Sequence, residues 1–379
     1  MNNELRLSKS CIGEEEKKAV KKVLDIGFFG MGKEVKDFEN ELSNFFGRRA
    51  TCVVNGTAAL QLALQAAGIE RGDEVLVQSI TYVASFQSIT ANGAKPIACD
   101  IDPDSLTIDL EDARKRLTSK TKAIMPVHYA GGVGNLDNIY KFARDNNLRI
   151  IEDAAHAFGT LYKDNLIGSF GDISCFSFDG IKNITSGEGG CIVSDDEDVI
   201  KSIQDFRLLG VQGDTHKRFS GGRSWDPDVK NQGWRYHMSD LVAAIGRVQL
   251  ANFNYHKKSR QDLAKKYFEL VKSIPSVSAF NHNYDEVVPH IFVVKIAENI
   301  DRKKLIELLK KEGIPAGIHY KPNHTLSFFN QTHISLKKTE EIFPKILTLP
   351  LHPDLTKEDI TYICSKLEEA LKNAKESSN

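Results

Sequence analysis

The sequence predicts an α/β protein: a large, doubly wound and mostly parallel sheet domain, followed by a smaller C-terminal α/β domain. Apolar strand-like runs alternate with helical patterns between residues 51 and 153, as in parallel sheets that carry helices on both faces. The 379 residues are enough for more than one domain. We therefore expect a large domain over residues 1–250 and a small one over residues 251–379.

Two amphipathic helices are predicted before the sheet, at residues 12–25 and 33–47, where apolar side chains recur on one helical face among charges. The sheet is predicted from five short apolar runs, at residues 50–55, 74–79, 95–101, 121–128 and 148–153. Helical patterns fill most of the gaps between these runs, so consecutive strands should be parallel. Parallel strands bring their carboxyl ends to one edge of the sheet, where ligands bind.

The second half of the chain begins with a polar, glycine-rich stretch between Phe206 and Tyr236, which predicts a long functional or mobile loop. A helical pattern follows Ser239, a residue type that caps helices well, and should link the two domains. The small domain is then predicted to contain strands at residues 290–296 and 314–320, with helices at residues 302–313 and after Thr356.

Charge and hydropathy exclude several classes of partner. Fifty basic and fifty-one acidic residues give a net charge of −1, so no bulk field favours nucleic acid or an anionic membrane. No apolar run approaches the roughly 20 residues of a membrane-spanning helix, and the N-terminus lacks the apolar core of a signal peptide. The six cysteines are scattered without metal-ligand spacing. We expect a cytoplasmic protein with reduced thiols and no metal site.

Three features, in chain order, point to one cofactor. Gly56 and Thr57 open a helix after the first strand, and helix N-termini bind phosphate. Asp153 closes an apolar strand, where a carboxylate can keep a pyridine nitrogen protonated. Lys182 lies between the segments FSF and GEGG, and partial burial there would release its amine for imine chemistry. Together they predict a pyridoxal 5′-phosphate enzyme with Lys182 as its catalytic residue.

Each feature has a simpler explanation when it is taken alone. Lys182 could be a surface lysine, Asp153 could cap a helix, and many helices begin with a Gly-Thr pair. His156 could contact the cofactor ring or be a satisfied turn residue, and Tyr82 could stack on the ring or belong to the core. Ser177 offers a hydroxyl to the phosphate. The prediction depends on the conjunction of these features, in the right order, on a βα framework.

Longer stretches around these residues resemble the sugar-nucleotide aminotransferases of the DegT/DnrJ/EryC1/StrS family. The matching segments are VVNGTAALQLAL, EDAAHAFGTLYKDNLIGSFGDISCFSFDGIKNITSGEGG, RYHMSDLVAAIG, GIHYKPNH and LTLPLHPDLTKEDI. The resemblance covers almost the whole chain. It implies an aspartate-aminotransferase-like type I fold, a homodimer whose subunits share their active sites, and amine transfer from L-glutamate to a keto sugar on a nucleotide.

The resemblance also implies a role for each matching residue. Lys182 would form the Schiff base with the cofactor, Asp153 would pair with the pyridine nitrogen, and His156 would lie near the ring hydroxyl. The remaining cofactor contacts would be the phosphate-binding Gly56, Thr57 and Ser177 and the ring-stacking Tyr82. The residues implied near the sugar nucleotide are His319, Tyr320 and His324.

The segment RYHMSD departs from the family pattern, because many members read NYRMSD there. Arg235 replaces an asparagine that reaches the cofactor phosphate of the neighbouring subunit. An arginine could make that contact as a bidentate cation, or turn to the diphosphate of the substrate. His237 replaces the family's arginine, which leaves the role of that position open.

These features predict an aminotransferase that acts on a dTDP-, UDP- or GDP-linked 4-keto-6-deoxyhexose, for O-antigen or another surface glycan of the lipopolysaccharide type. The segment GEGG resembles members that aminate carbon 4, and Lys182 argues against the dehydratases of the family, which have histidine there. A 3-keto sugar aminotransferase, a non-catalytic regulator and a type I pyridoxal enzyme acting only on amino acids are the alternatives. The sequence leaves open the nucleotide, the sugar and the stereochemistry of the new amine.

Overall fold

The computed structural model describes residues 5–222, 225–331 and 333–375, which contain twelve strands and thirteen α-helices. The strands are β1 Arg49–Val53, β2 Glu74–Gln78, β3 Lys95–Cys99, β4 Thr121–Met125, β5 Arg149–Asp153, β6 Leu161–Tyr162, β7 Asn165–Leu166, β8 Ile173–Ser177, β9 Gly190–Ser194, β10 Val277–Ala279, β11 Phe292–Ile296 and β12 Ile346–Leu349. The helices are α1 Glu14–Ile26, α2 Lys33–Phe46, α3 Gly56–Ala66, α4 Val83–Ala91, α5 Leu110–Lys115, α6 Leu136–Asp145, α7 Glu197–Phe206, α8 Asp214–Phe219, α9 Asp240–Ala251, α10 Phe253–Val271, α11 Arg302–Lys311, α12 Lys337–Ile342 and α13 Lys357–Asn373.

Seven strands form one large sheet in the order β1-β9-β8-β5-β4-β2-β3. The strands β3, β2, β4, β5 and β8 pair in parallel, whereas β9 runs antiparallel to both of its neighbours, β8 and β1. The carboxyl ends of β5 and β8 therefore lie side by side, with Asp153 in register with Cys175. The prediction of a large, mostly parallel sheet is confirmed.

Helices cover both faces of this sheet. Alternate residues of a strand enter different apolar clusters, because strand side chains point to opposite faces. Leu76 and Ile124 belong to one cluster, with residues of α2, α6 and α9. Val77 and Met125 belong to the other, with residues of α3, α4 and α7. The sheet is thus doubly wound, as the alternation of strands and helices predicts.

A smaller antiparallel sheet, β10-β11-β12, lies in the C-terminal part of the chain. It packs with α10, α11 and α13 around a separate apolar core that includes Phe292, Leu349 and Leu367. Leu5, close to the N-terminus, also packs against this core. The division of the chain between residues 250 and 251 stays a prediction.

Two elements differ from the sequence expectation. The helical pattern after Ser239 is divided at Asn252 into α9 and α10, since asparagine has a low helix propensity. Residues 314–320 form only an isolated bridge, between Gly317 and Thr348, instead of a strand. Pro315 in that segment has no N–H for a ladder, and a glycine weakens a strand. Within the described ranges, no helix is both long enough and apolar enough to cross a membrane.

Candidate active site

A cavity of about 440 Å³ opens at the carboxyl ends of β5 and β8. The residues predicted from the sequence that line it are Gly56, Thr57, Tyr82, Asp153, His156, Ser177, Lys182, His319 and Tyr320. Its other lining residues include Asn55, Thr81, Cys175, Asp179 and Glu188. The fold therefore brings together residues that lie more than two hundred positions apart in the sequence. They meet at the sheet edge where ligands of parallel sheets bind.

Lys182 lies in the loop after β8 and is partly exposed to the cavity, but protein atoms surround its amine. This burial lowers the pKa of Lys182 from 10.5 to about 8. The carboxylates of Asp153 and Asp179 oppose the effect, and the Arg260 guanidinium adds a smaller lowering. With a pKa of this size, about a tenth of the amine would be unprotonated at pH 7. An unprotonated amine is the form that attacks an aldehyde.

Asp153 is buried at the end of β5 and is held by two hydrogen bonds to its carboxylate. Ser85 Oγ donates to Oδ2 at 2.7 Å, and the backbone N–H of Ala155 donates to Oδ1 at 3.2 Å. No helix begins directly after Asp153, so the carboxylate does not serve as a helix cap. A buried, hydrogen-bonded carboxylate facing a cavity is suited to pair with a protonated ring nitrogen.

His156 is a buried neutral imidazole whose tautomer follows from its contacts. Burial and the Lys182 charge lower the pKa of His156 well below 6.5. The backbone N–H of Ala130 donates to Nδ1 at 3.3 Å, so the proton of the neutral ring lies on Nε2. That N–H donates to the Tyr320 hydroxyl oxygen at 3.1 Å. Tyr320 keeps its hydroxyl proton for an acceptor in the cavity.

The N-terminus of α3 forms the candidate phosphate site. Asn55 caps the helix through Oδ1, which accepts from the backbone N–H of Ala58 at 2.8 Å. The first N–H groups of a helix have no intrahelical partner, so those of Gly56 and Thr57 are available to a phosphate. A Cβ at Gly56 would lie only 2.8 Å from the Cβ of Ser177. Glycine is thus required for α3 to begin this close to β8.

Tyr82 and His319 are two further lining residues of the cavity. The Tyr82 side chain is 56% exposed, and its ring centroid is 5.6 Å from that of Tyr320. His319 Nδ1 is 2.9 Å from Thr348 Oγ1, and its backbone carbonyl accepts a hydrogen bond from the Tyr129 hydroxyl. Burial and the Lys182 charge lower the pKa of His319 to about 4. This imidazole is therefore neutral at physiological pH.

Two residues named from the sequence are not brought to the cavity of a single chain. His324 is buried away from it, with Nδ1 2.7 Å from Ser79 Oγ and Nε2 4.0 Å from the Glu340 carboxylate. Arg235 is exposed and forms a backbone bridge with Leu208. The roles predicted for His324 and Arg235 stay predictions.

Three residues near the cavity were missed by sequence reasoning. Ser85, which holds Asp153, lies one helical turn after Tyr82, and that spacing could have suggested it. His290 lies with Nε2 at 3.4 Å from Lys182 Nζ, but in the sequence it is simply the first residue of an apolar strand. Arg260 donates to the backbone carbonyls of Ile181 and Lys182 at 3.4 and 3.3 Å. No local signal separates it from the other cations of α10.

Comparison with known proteins identifies the family. A model of the DegT/DnrJ/EryC1/StrS aminotransferase family matches residues 10–368. The chain belongs to this family. An uncharacterized protein of Methanocaldococcus jannaschii is 36% identical over 362 residues, which cover 92% of this chain and 93% of that relative.

Solved structures of other aminotransferases superpose over nearly the whole chain. Spr1654 of Streptococcus pneumoniae, assigned as a sugar aminotransferase and solved in its PMP form, has a TM-score of 0.91 at 28% identity, with 98% of each chain covered. PseC of Helicobacter pylori, an aminotransferase in the biosynthesis of pseudoaminic acid, has a TM-score of 0.90 at 27% identity, with 98% and 100% covered. Spr1654 has also been solved in a PLP form. The predicted type I fold is confirmed.

These comparisons support a sugar aminotransferase of the pyridoxal-phosphate type, and the cavity fits that cofactor. A helix N-terminus packed closely through Gly56 suits the phosphate, the fixed carboxylate of Asp153 suits a pyridinium, and the buried amine of Lys182 suits an aldehyde. Across the described residues, no group of three or more His, Cys, Asp or Glu side chains could hold a metal ion.

Proposed function

We propose that the protein transfers the amino group of L-glutamate to a nucleotide-linked 4-keto-6-deoxyhexose and releases a 4-amino-4,6-dideoxy sugar nucleotide. The observation that carries the proposal is the placement of Lys182, with its lowered pKa of about 8, in one cavity with Asp153 and the N-terminus of α3. Pyridoxal phosphate, when bound, supplies an electron sink for the carbon that bears the amine.

Each residue of the cavity has a defined task in this proposal. Lys182 anchors the cofactor through its unprotonated amine and afterwards moves a proton at the carbon that exchanges nitrogen. Asp153 holds the proton on the ring nitrogen, because its carboxylate is oriented by Ser85 and Ala155. His156 Nε2–H donates to Tyr320, which fixes these two lining side chains of the cavity relative to each other.

The sugar nucleotide would enter at the mouth of the cavity. Tyr82 offers an exposed ring to it, and His319 and Tyr320 line the same cavity, with the Tyr320 ring 5.6 Å from that of Tyr82. A dTDP, UDP or GDP group carries two phosphates, and Arg235 is an exposed cation outside the single-chain cavity. In a homodimer with shared sites, Arg235 would contact either the cofactor phosphate or the substrate diphosphate of the neighbouring subunit.

The choice of a sugar substrate is supported by relatives. Spr1654 is assigned as a sugar aminotransferase, and CalS13 of Micromonospora echinospora is a sugar aminotransferase with a TM-score of 0.88 at 26% identity, covering 96% of this chain and 99% of that one. The choice of carbon 4 comes from the segment GEGG after Lys182. A role in O-antigen or other lipopolysaccharide-type glycan synthesis would follow from such a product.

The direct test is to incubate the holoenzyme with L-glutamate and, in separate reactions, a 4-keto or a 3-keto 6-deoxyhexose on dTDP, UDP or GDP, and to determine the product structure by NMR. Nitrogen on carbon 4 is the expected result. Nitrogen on carbon 3, obtained only from 3-keto substrates, would replace the proposal by its closest alternative. A Lys182→Ala protein is the matched control and should give no product. Cofactor binding without turnover on any of these substrates would favour a regulator.

A further inference from the structure

His290 is a buried histidine beside the Lys182 amine to which the proposed function gives no role. It precedes β11, is 2% exposed, and places Nε2 3.4 Å from Lys182 Nζ. Its other ring nitrogen, Nδ1, is buried and has no hydrogen-bond partner among the described residues. The ring also lies against His156, with the centroids 4.4 Å apart. The imidazole therefore makes its hydrogen bond to the reactive lysine.

Arg260 fixes the backbones of both partners. One guanidinium nitrogen donates to the His290 carbonyl at 3.2 Å, and the other donates to the Lys182 carbonyl at 3.3 Å. Arg260 is itself 1% exposed, so this bridge is shielded from water. The Arg260 side chain thus ties the backbone of the loop after β8 to that of the segment before β11, from which the amine and the imidazole project.

The direction of the hydrogen bond follows from the charge state of the ring. Burial lowers the pKa of His290 well below 6.5, and the neighbouring Lys182, His156, Arg260 and His319 act in the same direction. A neutral imidazole carries one proton. A proton on Nδ1 would make that nitrogen a buried donor without a partner, which is unfavourable. A proton on Nε2 points at the Lys182 nitrogen. It finds a lone pair when the amine is unprotonated and faces another donor when the amine is an ammonium, so this tautomer favours the unprotonated form.

We propose that His290 is a positioning residue that donates a hydrogen bond from Nε2 to the unprotonated Lys182 amine, and so keeps that amine ready to condense with the cofactor aldehyde. The proposal rests on the function proposed for Lys182. The carboxylates of Asp153 and Asp179 favour the ammonium form, so His290 opposes them at short range. In the condensation, the amine nitrogen bonds to the aldehyde carbon and one water molecule leaves.

The test follows the rate at which cofactor-free protein acquires the absorbance band of lysine-bound pyridoxal phosphate, between pH 6 and 9.5. The parent rate should rise with pH and level off near the Lys182 pKa of about 8. Three variants accompany it: His290→Phe, which removes the donor; His290→Gln, which keeps an N–H; and Lys182→Ala, the blank. In His290→Phe the midpoint should move up by about one pH unit, making the rate about tenfold slower at pH 7 and nearly parental at pH 9.5. His290→Gln should keep the parental midpoint.

A parental midpoint in His290→Phe, or a loss of the same size at every pH, would overturn the proposal, because a purely structural role predicts one of these. Thermal unfolding of the cofactor-free proteins shows whether each variant folds. Should His290→Phe not fold, His290→Leu takes its place as the variant without a donor: a midpoint about one pH unit above the parental one supports the proposal, and a parental midpoint overturns it. A parent that acquires no Lys182-dependent band would reject the proposed function itself, and this inference with it.

Discussion

Replacing Gly56 by alanine should weaken cofactor binding, because the new methyl group has no room at the start of α3. It would lie 2.8 Å from the Cβ of Ser177, 3.1 Å from its Oγ and 3.3 Å from its Cα. Carbon atoms pack at about 3.5–4.0 Å. Ser177 belongs to β8, all of whose residues are buried, so the N-terminus of α3 is the part that has to move.

The size of the effect follows from this geometry. The shortfall between the 2.8 Å contact and normal packing is about 0.7 Å. A displacement of that size takes an N–H···O contact from about 2.9 Å to beyond the range of a hydrogen bond. One hydrogen bond to a charged group is worth about 1.5–3 kcal/mol. Pyridoxal phosphate should therefore bind about 10- to 100-fold more weakly to the Gly56→Ala protein.

The assay is a titration of cofactor-free protein with pyridoxal phosphate, followed by absorbance. Gly13→Ala is the matched control, since a Cβ there meets nothing closer than 3.5 Å, and this protein should bind as the parent does. A dissociation constant for Gly56→Ala within about twofold of the parental value would refute the assignment of this helix start as the phosphate site. Such a ratio corresponds to a difference in binding free energy of no more than about 0.4 kcal/mol.

Two further predictions concern residues around the cavity. Ser85→Ala removes the 2.7 Å donor to Asp153 and should lower turnover about tenfold. Ser88 is the control, because its hydroxyl donates only to the Ser85 carbonyl, and Ser88→Ala should leave turnover unchanged. Equal rates in the two variants would contradict the role of Ser85. If Arg235 completes the partner's site, Arg235→Ala should be impaired alone but regain about a quarter of parental activity when its subunits are mixed equally with those of Lys182→Ala, since half the dimers then hold one intact site. No recovery on mixing would show that Arg235 acts within its own chain.

Local patterns were sufficient to predict most of the large sheet. The apolar runs at β2 to β5 and the helices between them have the periods of their elements, and parallel pairing follows from the crossover connections. β8 and β9 were not predicted. The place of β9, antiparallel between two mutually parallel neighbours, depends on contacts far along the chain. The segment at Gly317 was expected as a strand, but its proline and glycine leave only one bridge.

The candidate site shows the same division between local and distant information. Asp153, Lys182 and Gly56 could be found because their chemistry and their position on the βα framework agree. His290 could not be assigned from the sequence. Its contact with Lys182 arises because the loop after β8 packs against the segment before β11. His324 matches a family segment but packs against Ser79, and only the three-dimensional structure separates it from His319.

The most direct test of the account is the visible absorbance of the purified protein before and after L-glutamate is added, with Lys182→Ala beside it. The account predicts a yellow band in the parent that bleaches with glutamate and returns with a keto sugar nucleotide, and no such cycle in Lys182→Ala. A parent that stays colourless with added pyridoxal phosphate, or a Lys182→Ala protein that cycles like the parent, would contradict the central role of Lys182.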